Sequence, residues 1–147
     1  MPIEGEYEPS TWGWVRRQVE EYESSGGTQG TTLRDTGQPC IVVTCVGHRT
    51  GKVRKVPLMR VEHEGSYAVI ASKGGAPENP MWVANLHANP NVEVQDGTKR
   101  FDATVRLVSG AERAEWWERA VKVFPNYAEY QAKTEREIPV FIASPAS

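Results

Sequence analysis

The basic stretch GHRTGKVRKVPL, from Gly47 to Leu58, has the composition of a site for a small anion. It contains four cations and no acidic residue, and its two glycines allow a turn that presents backbone N–H groups to an oxyanion. Arg49 lies in this turn. In the strand that follows, Lys52 and Arg54 share one face while Lys55 points the other way. Charge alone, however, is better explained by a solvated basic hairpin.

The segment SKGGAPENPMW, from Ser72 to Trp82, places further polar groups at the end of a predicted strand. Lys73 and two glycines come first, and Asn79-Pro80 then predicts a helix start with Asn as the N-cap and Pro at the first helical position. Flexible backbone, a cation and a helix N-terminus favour negative charge or an electron-rich carbonyl. An ordinary loop between a strand and a helix is an equal alternative.

Two tyrosines near the end of the chain are candidates for contact with a substrate. Tyr127 and Tyr130 lie three residues apart after Pro125, so they share one face of a short helix. There they can wall a pocket and offer hydroxyl groups. Trp117 and Phe124 are interpreted as core residues. The three histidines are scattered and complete no ligand set, so no metal site is predicted.

Length and charge limit the classes of function. The 147 residues fit one domain, and a net charge of −2 argues against nucleic acid as a partner. Cys40 and Cys45 are predicted to be reduced core residues, because side chains five apart in a strand point to opposite faces. Neither a signal peptide nor a membrane-spanning run is found, so a cytoplasmic protein is expected.

The hydrophobic pattern predicts the elements that position these residues. Helices are expected at residues 10–24 with Ser10 as N-cap, at 79–88, from a capping box at 109–112 onward, and at 127–134. Strands are expected at 41–46, 52–62, 67–71, 91–95, 99–108 and 140–143, with an edge or bulge at Pro57 and a hairpin at Asp96-Gly97. This order predicts a mostly antiparallel barrel with flanking helices rather than a parallel doubly wound sheet.

Two helices are predicted to dock on the barrel through apolar stripes. The stripe of the first helix is Trp12, Val15, Val19 and Tyr22, and that of the later helix is Ala114, Trp117, Val121 and Phe124. A lid or membrane-surface role for the first helix is less favoured, because its polar face is acidic and anionic lipid would repel it. Peripheral membrane contact therefore stays open but unsupported.

Taken together, these motifs resemble the F-420 (deazaflavin)-dependent nitroreductase family of actinobacteria. The resemblance covers about residues 37–145 and is carried in order by GHRTGKVRKVPL, ASKGGAPENPMWVANLHANPNVEV and FPNYAEYQAKTEREIPV. It implies an α+β, mainly β, fold: a split β-barrel of the FMN-binding, pyridoxamine-phosphate-oxidase-like type with flanking helices. An N-terminal helix and flexible linker are expected at residues 1–30, and the reductase domain at residues 31–147.

The resemblance also implies a cofactor and a reaction. Coenzyme F-420, an 8-hydroxy-5-deazaflavin, would carry hydride to the activated C=C bonds of enones, unsaturated lactones and quinones, with nitro compounds as a side activity. The implied cofactor-binding residues are His48, Arg49, Thr50, Arg54, Val56, Pro57, Leu58, Met59, Ala71, Ser72, Lys73, Met81, Trp82, Asn85 and Tyr127. The implied substrate pocket is formed by Met59, Phe124, Tyr127 and Tyr130. Tyr130, Tyr127 and Ser72 are the candidate proton donors.

Within that set, the resemblance assigns different parts of the cofactor to different segments. Arg49, Thr50 and Arg54 would bind the phosphate and glutamate tail. The ring would lie against residues 56–59 and 71–73, with Met81, Trp82 and Asn85 closing the groove. Some relatives have an aromatic residue in place of Met59 and a tyrosine in place of Phe124, so these two positions leave the substrate open.

Two alternatives to this function remain. One is an FMN-dependent oxidoreductase on the same fold, and the other is a non-catalytic deazaflavin carrier or a binding module for acidic ligands. Titration with F-420 and FMN distinguishes the first alternative from an F-420-dependent reductase. Oxidation of the reduced cofactor by an acceptor distinguishes the second. The expected partner is a small electron-poor molecule, and the chain is expected to be a monomer or a homodimer.

Overall fold

A seven-stranded antiparallel sheet forms the centre of the computed structural model, which describes residues 3, 5–33 and 36–146. The strands are β1 (Cys40–Val46), β2 (Val53–Met59), β3 (Glu62–His63), β4 (Ser66–Ile70), β5 (Asn91–Asp96), β6 (Lys99–Leu107) and β7 (Val140–Pro145). Their order in the sheet is β2-β1-β5-β6-β7-β4-β3. The helices are α1 (Gly13–Ser24), α2 (Trp82–Ala88), α3 (Gly110–Val123) and α4 (Asn126–Lys133), and a 3-10 turn spans Lys73–Gly75.

The sheet has two faces because side chains alternate along each strand. On the inner face, side chains from different strands pack on one another and on Val83 and Leu86 of α2. These side chains include Ile41, Val43, Val69, Val94, Val105 and Ala143. We call outer the opposite face, which packs on α1 at one end and on α3 and α4 at the other. Inner residues of β1 and β4 belong to one cluster although three strands separate them, so the sheet is curled.

A charged cluster joins strands that are not neighbours in the sheet. The Asp96 carboxylate at the end of β5 accepts hydrogen bonds from Arg60 Nε at 2.9 and 3.0 Å and from the Tyr67 hydroxyl of β4 at 2.6 Å. Burial raises the pKa of Asp96, but the hydrogen bonds from Arg60 and Tyr67 outweigh it and hold this pKa below its ordinary value. The predicted hairpin after Asp96 is confirmed, with Asp96 paired to Lys99.

Helix α1 docks on the outer face through three of its four predicted residues. Val15, Val19 and Tyr22 are buried against Cys40 and Val42 of β1. The prediction for Trp12 is wrong, because the helix begins at Gly13 and leaves Trp12 57% exposed. Ser10 is also not the N-cap: its hydroxyl accepts a hydrogen bond from Trp12 N, one residue before the helix.

The end of α1 is fixed to the β5–β6 hairpin. The Tyr22 hydroxyl accepts a hydrogen bond from Gly97 N at 2.6 Å and donates toward the carbonyls of Cys40 and Gln95. Gly27 has a φ of +86°, and a Cβ there would lie 1.7 Å from the Gly97 carbonyl oxygen. Only glycine fits this contact, so the loop after α1 is closely packed on the hairpin.

Most strand predictions are confirmed, with one difference in the second strand. The predicted strand at 52–62 is two strands, because the chain leaves the sheet edge at Arg60 and pairs with β4 from Glu62. Pro57 lies in β2, which is an edge strand as predicted and tolerates the missing N–H. Cys40 and Cys45 are buried free thiols on opposite faces, as predicted.

Helix α3 starts where predicted, but two details differ. Ser109 makes no side-chain capping bond, because the Glu112 carboxylate pairs with Arg106 instead of completing a capping box. The buried residues are Trp116 and Ala120 rather than the predicted set, of which Ala114 is exposed and Trp117, Val121 and Phe124 are half-buried. Trp117, Val121 and Phe124 still pack against the outer-face cluster, so the buried side of α3 is displaced from the predicted stripe toward Trp116 and Ala120. In the described ranges no helix has the length and apolarity to cross a bilayer.

Candidate functional site

The turn between β1 and β2 is fixed to helix α2 by one buried amide. Asn85 Oδ1 accepts a hydrogen bond from His48 N at 3.0 Å and lies 2.7 Å from His48 Nδ1. Because Oδ1 is an acceptor, this contact favours a proton on His48 Nδ1. Asn85 is 8% exposed, so it supports the turn rather than presenting its amide to a groove.

The cations of the basic stretch point to two faces, as predicted. Arg54 Nη1 binds Glu8 at 2.7 Å, and Lys52 Nζ lies 3.9 Å from Glu6. Lys55 points to the outer face, where its Nζ binds Glu23 of α1 at 2.5 Å. Lys55 is therefore part of the α1 contact and is separated from the face that carries Arg54.

The acidic N-terminal segment pairs with the open edge of β2, and sequence reasoning missed this contact. Val53 N donates to the Glu6 carbonyl at 2.8 Å, and Glu8 N donates to the Val53 carbonyl at 2.9 Å. This parallel bridge holds the carboxylates of Glu6 and Glu8 beside the basic stretch. Arg49 is exposed and makes no ion pair with the residues that the structure describes. The surplus of glutamates near the start of the chain was the only available signal.

The Ser72–Gly75 loop has an unusual backbone at its cation. Lys73 has a φ of +45°, a left-handed conformation that is uncommon for a residue with a side chain. Its Nζ binds Glu78 at 3.0 Å, and this hydrogen bond and charge lower the pKa of Glu78. Such backbone conformations persist only where the surrounding structure holds them, and they cluster at functional sites.

Arg136 holds this loop, although it is not among the predicted site residues. Its guanidinium donates to the carbonyls of Ala71, Ser72 and Ala76 at 3.2, 2.8 and 2.9 Å and to Asn79 Oδ1 at 2.8 Å. The predicted N-cap at Asn79 is therefore wrong: its side chain binds Arg136, and α2 begins only at Trp82. These partners lie 57 to 65 residues from Arg136, beyond the reach of any local pattern.

The loop also contacts helix α4 directly. Gly75 has a φ of +83°, and a Cβ there would lie 2.7 Å from the Tyr130 carbonyl oxygen and 3.2 Å from Lys133 Cβ. The loop backbone thus approaches α4 as closely as glycine permits. This contact brings the predicted cofactor residues Ser72 and Lys73 together with the predicted substrate residue Tyr130.

The four predicted substrate residues lie in one hydrophobic cluster at the outer face. Tyr127 is 5.2 Å from the Phe124 ring and 6.3 Å from the Tyr130 ring between centroids, and buried Met59 belongs to the same cluster. Burial, with a smaller contribution from Tyr130, raises the pKa of Tyr127 well above its ordinary value. Tyr127 is therefore a packing residue in this structure, whereas half-buried Tyr130 retains access to solvent.

The predicted ring-binding residues of β2 are divided between the two faces. Val56 and Leu58 pack with Trp82 against the inner cluster. Met59 packs with the tyrosines on the outer face. Met81, before α2, is 83% exposed. A flat ring contacts one side of a strand, so the structure does not bring all of residues 56–59 to one surface.

A separate open depression of about 330 Å³ lies between α3 and strands β3, β4 and β7. Its lining carries both signs of charge, including Arg106, Glu112 and Arg119, together with His63 and Trp116. None of the predicted site residues lines this depression, so the candidate site lies elsewhere. Within the described ranges, no group of three His, Cys, Asp or Glu side chains is arranged to hold a metal.

Comparison with known proteins identifies a family across nearly the whole chain. The model of the family described as F420H(2)-dependent quinone reductase matches residues 14–145. An F420H(2)-dependent quinone reductase of Mycobacterium tuberculosis is 36% identical over 107 residues, which are 71% of this chain and 72% of that protein. The family-model match contains the basic stretch, the loop and α1 except for its first residue, so it extends beyond residues 37–145, on which the resemblance was based.

Solved structures give the same family and the fold. An F420-H2 dependent reductase (FDR-A) is 52% identical with a TM-score of 0.70, covering 77% of this chain and 97% of that one. A chain described as a domain-swapped dimer is 51% identical with a TM-score of 0.72, covering 89% and 97%. The haem storage protein HutZ of Vibrio cholerae, at 13% identity and a TM-score of 0.55 over 90% and 91%, shares the fold alone. The predicted split β-barrel is confirmed.

Proposed function

Because the chain belongs to the F420H(2)-dependent quinone reductase family, we propose that it reduces quinones and related acceptors that contain an electron-poor C=C bond. Family membership makes the protein an oxidoreductase that uses coenzyme F-420, and the acceptor is the proposed part. Enones and unsaturated lactones share the electron-poor C=C bond of a quinone, and nitro compounds would be a side activity. The acceptor is a small molecule.

One observation carries the placement of the reaction. Gly75 and the Tyr130 carbonyl are in backbone contact, so the loop with Ser72 and Lys73 lies directly against the helix that bears Tyr130. We propose that the acceptor is reduced beside this junction, which we call the loop–α4 junction. Positioning of two reactants in contact is a large contribution that a protein can make when a cofactor supplies the chemistry.

Side chains of the predicted site fit parts of the cofactor, although they are divided between the two faces of the sheet. Its tail carries phosphate and carboxylate groups, and Arg49, Arg54 and Lys73 are cations that can bind them. The half-buried apolar side chains of Val56, Leu58 and Trp82 can contact a flat ring, as can the cluster around Met59 on the outer face. When bound, the reduced cofactor supplies a hydride to the acceptor.

The protein must then provide a proton, and we propose Tyr130 as the donor. A two-electron reduction of a quinone adds one hydride and one proton, which together give the hydroquinone. Burial raises the pKa of Tyr127 and isolates it among aromatic rings. The backbone of Tyr130 lies against the loop and its side chain is half-buried, so we propose that its hydroxyl gives a proton to the acceptor and recovers it from solvent.

Titration with cofactors tests the proposal first. The purified protein is titrated with F-420 and, separately, with FMN, and then mixed anaerobically with reduced F-420 and a quinone, an enone or a nitro compound. We expect F-420 to bind and to be oxidised fastest with the quinone. Tight FMN binding without F-420 affinity would establish the FMN alternative. F-420 binding without oxidation by any acceptor would establish the carrier.

The assembly is a further part of the proposal. A chain with 51% identity to this one is described as a domain-swapped dimer. We propose that this protein also forms a homodimer, and light scattering coupled to size-exclusion chromatography measures it directly. A mass equal to that of one chain across the concentration range would contradict the dimer.

A further inference from the structure

Arg136 lies between α4 and β7 and is not among the residues that the sequence analysis assigned to the site. Its side chain makes four hydrogen bonds to residues 71–79, three of them to backbone carbonyls and one to Asn79. Nε and both Nη atoms take part, so the whole planar fork is used. The bonds converge on the two sides of the 3-10 turn, at Ser72 before it and at Ala76 after it.

The backbone of Arg136 is tied to α4. Gln131 Nε2 donates to the Arg136 carbonyl at 2.8 Å, and Gln131 Oε1 accepts from Ile138 N at 3.0 Å. Gln131 follows Tyr130 in the helix. Arg136 therefore connects residues 71–79 to the helix through a second route, in addition to the contact of Gly75 with Tyr130.

We propose that Arg136 is a positioning residue for the reduction: it fixes the loop that carries Ser72 and Lys73 relative to the helix that carries Tyr130. The proposal rests on the proposed function, because it assigns Arg136 to the same site. Arg136 acts through the loop and α4, and no contact with cofactor or acceptor is required. The bonds of Arg136 to the carbonyls of Ser72 and Ala76, on either side of Lys73 in the chain, also help to hold the left-handed backbone of Lys73.

Lysine cannot replace this arginine. Four acceptors that belong to residues 71, 72, 76 and 79 are matched by a rigid fork, whereas an ammonium group offers three donors from one point. Arg136→Lys should therefore keep the charge but lose the loop geometry. A displacement of about 1 Å at reacting groups can reduce the rate about a hundredfold, so we expect kcat to fall between about ten- and a hundredfold.

Arg113→Lys is the matched control. Arg113 is another half-buried arginine that holds the segment after α4, donating from Nη2 to the Ile138 carbonyl at 2.7 Å and to Gln131 Oε1 at 3.4 Å. It therefore shares the Gln131 connection with Arg136, but it makes no hydrogen bond to the described residues 71–79. We expect Arg113→Lys to lower the melting temperature as much as Arg136→Lys does, while kcat stays near that of the wild type. Asn79→Ala, which removes one acceptor only, should lower kcat in the same direction by a smaller factor.

The decisive readouts are kcat and KM for reduced F-420 with a quinone, together with hydrogen–deuterium exchange of the free protein. Arg136→Lys should lower kcat while changing KM for the cofactor by less than about threefold. It should also raise exchange in residues 71–79, which Arg113→Lys should leave unchanged. An equal loss of kcat in both variants, or an unchanged kcat in Arg136→Lys, would overturn the proposal.

Two further outcomes are decided by the same experiment. If Arg136→Lys does not fold, Asn79→Ala decides, and an unchanged kcat in that variant overturns the proposal. If the wild type neither binds F-420 nor reduces a quinone, the proposed function fails. Exchange in residues 71–79 then still shows whether Arg136 holds the loop.

Discussion

Replacing Glu8 by Gln should make coenzyme F-420 bind more tightly. The Glu8 carboxylate binds Arg54 at 2.7 Å, and a bridge between Tyr7 and Val53 holds the acidic segment in place. We propose that the carboxylates of the cofactor tail compete with Glu8 for this guanidinium. Glu8→Gln removes the competing charge while it preserves the shape of the side chain.

The size of the effect follows from the exposure of the pair. The side chains of Arg54 and Glu8 are 35% and 40% exposed, so solvent screens their attraction. Exposed ion pairs contribute about 0.2 to 1 kcal/mol, which corresponds to about 1.4- to 5-fold in affinity. At about 1 M salt the Debye length falls to about 3 Å, and the difference between variant and wild type should largely disappear.

Glu6→Gln is the matched control for this prediction. Glu6 lies 3.9 Å from Lys52 and is 77% exposed, so its removal should change affinity less than Glu8→Gln does. The assay is a fluorescence titration with F-420 and with a deazaflavin that lacks the phosphate and glutamate tail. Tighter binding of the tailless compound by the same factor, or weaker binding of F-420 by Glu8→Gln, would refute competition for Arg54.

Three other predictions test separate parts of the structure. Arg54→Ala should weaken F-420 binding more than Lys55→Ala, because Lys55 points to Glu23 of α1; equal losses in a fluorescence titration would mean that both act through bulk charge. Asp96→Asn should lower the free energy of unfolding by about 1 to 3 kcal/mol at neutral pH. The fold lowers the pKa of Asp96, so this stabilisation is complete above the carboxyl pKa of the unfolded state and is lost as pH falls through the carboxyl pKa of the folded state. The free energies of urea unfolding of the wild type and Asp96→Asn should therefore converge in acid. A difference that stays constant with pH would contradict the assignment. Gly27→Ala should lower the melting temperature sharply, because its Cβ would overlap the Gly97 carbonyl, and an unchanged melting temperature would show that α1 is not docked through this contact.

Local patterns predicted the elements of this fold well. Alternation placed Arg54 and Lys55 on opposite faces, and Asp96-Gly97 marked the hairpin. These predictions succeeded because each depends on residues close together in the chain. The displacement of the buried side of α3 was not predicted, since Trp116 and Trp117 are both apolar and only the shape of the sheet decides which one is buried.

The candidate site was less predictable because its supports are distant in sequence. Asn79 has the pattern of an N-cap, yet Arg136 binds its side chain from 57 residues away. The same holds for Glu8, which reaches Arg54 only because the N-terminal segment lies along an open strand edge. Local sequence rules cannot predict contacts between side chains that are so far apart in the chain. The identity of the cofactor, in contrast, could be inferred from the three motifs taken together.

We propose that reduction takes place at the loop–α4 junction with Tyr130 as the proton donor. This proposal is tested most directly by anaerobic mixing of reduced F-420 and a quinone with the wild type and with Tyr130→Phe, following the oxidised cofactor. We predict that Tyr130→Phe lowers kcat about tenfold or more while its affinity for F-420 stays near that of the wild type. An unchanged kcat in Tyr130→Phe would remove Tyr130 from the reaction, and the absence of cofactor oxidation by the wild type would contradict the account as a whole.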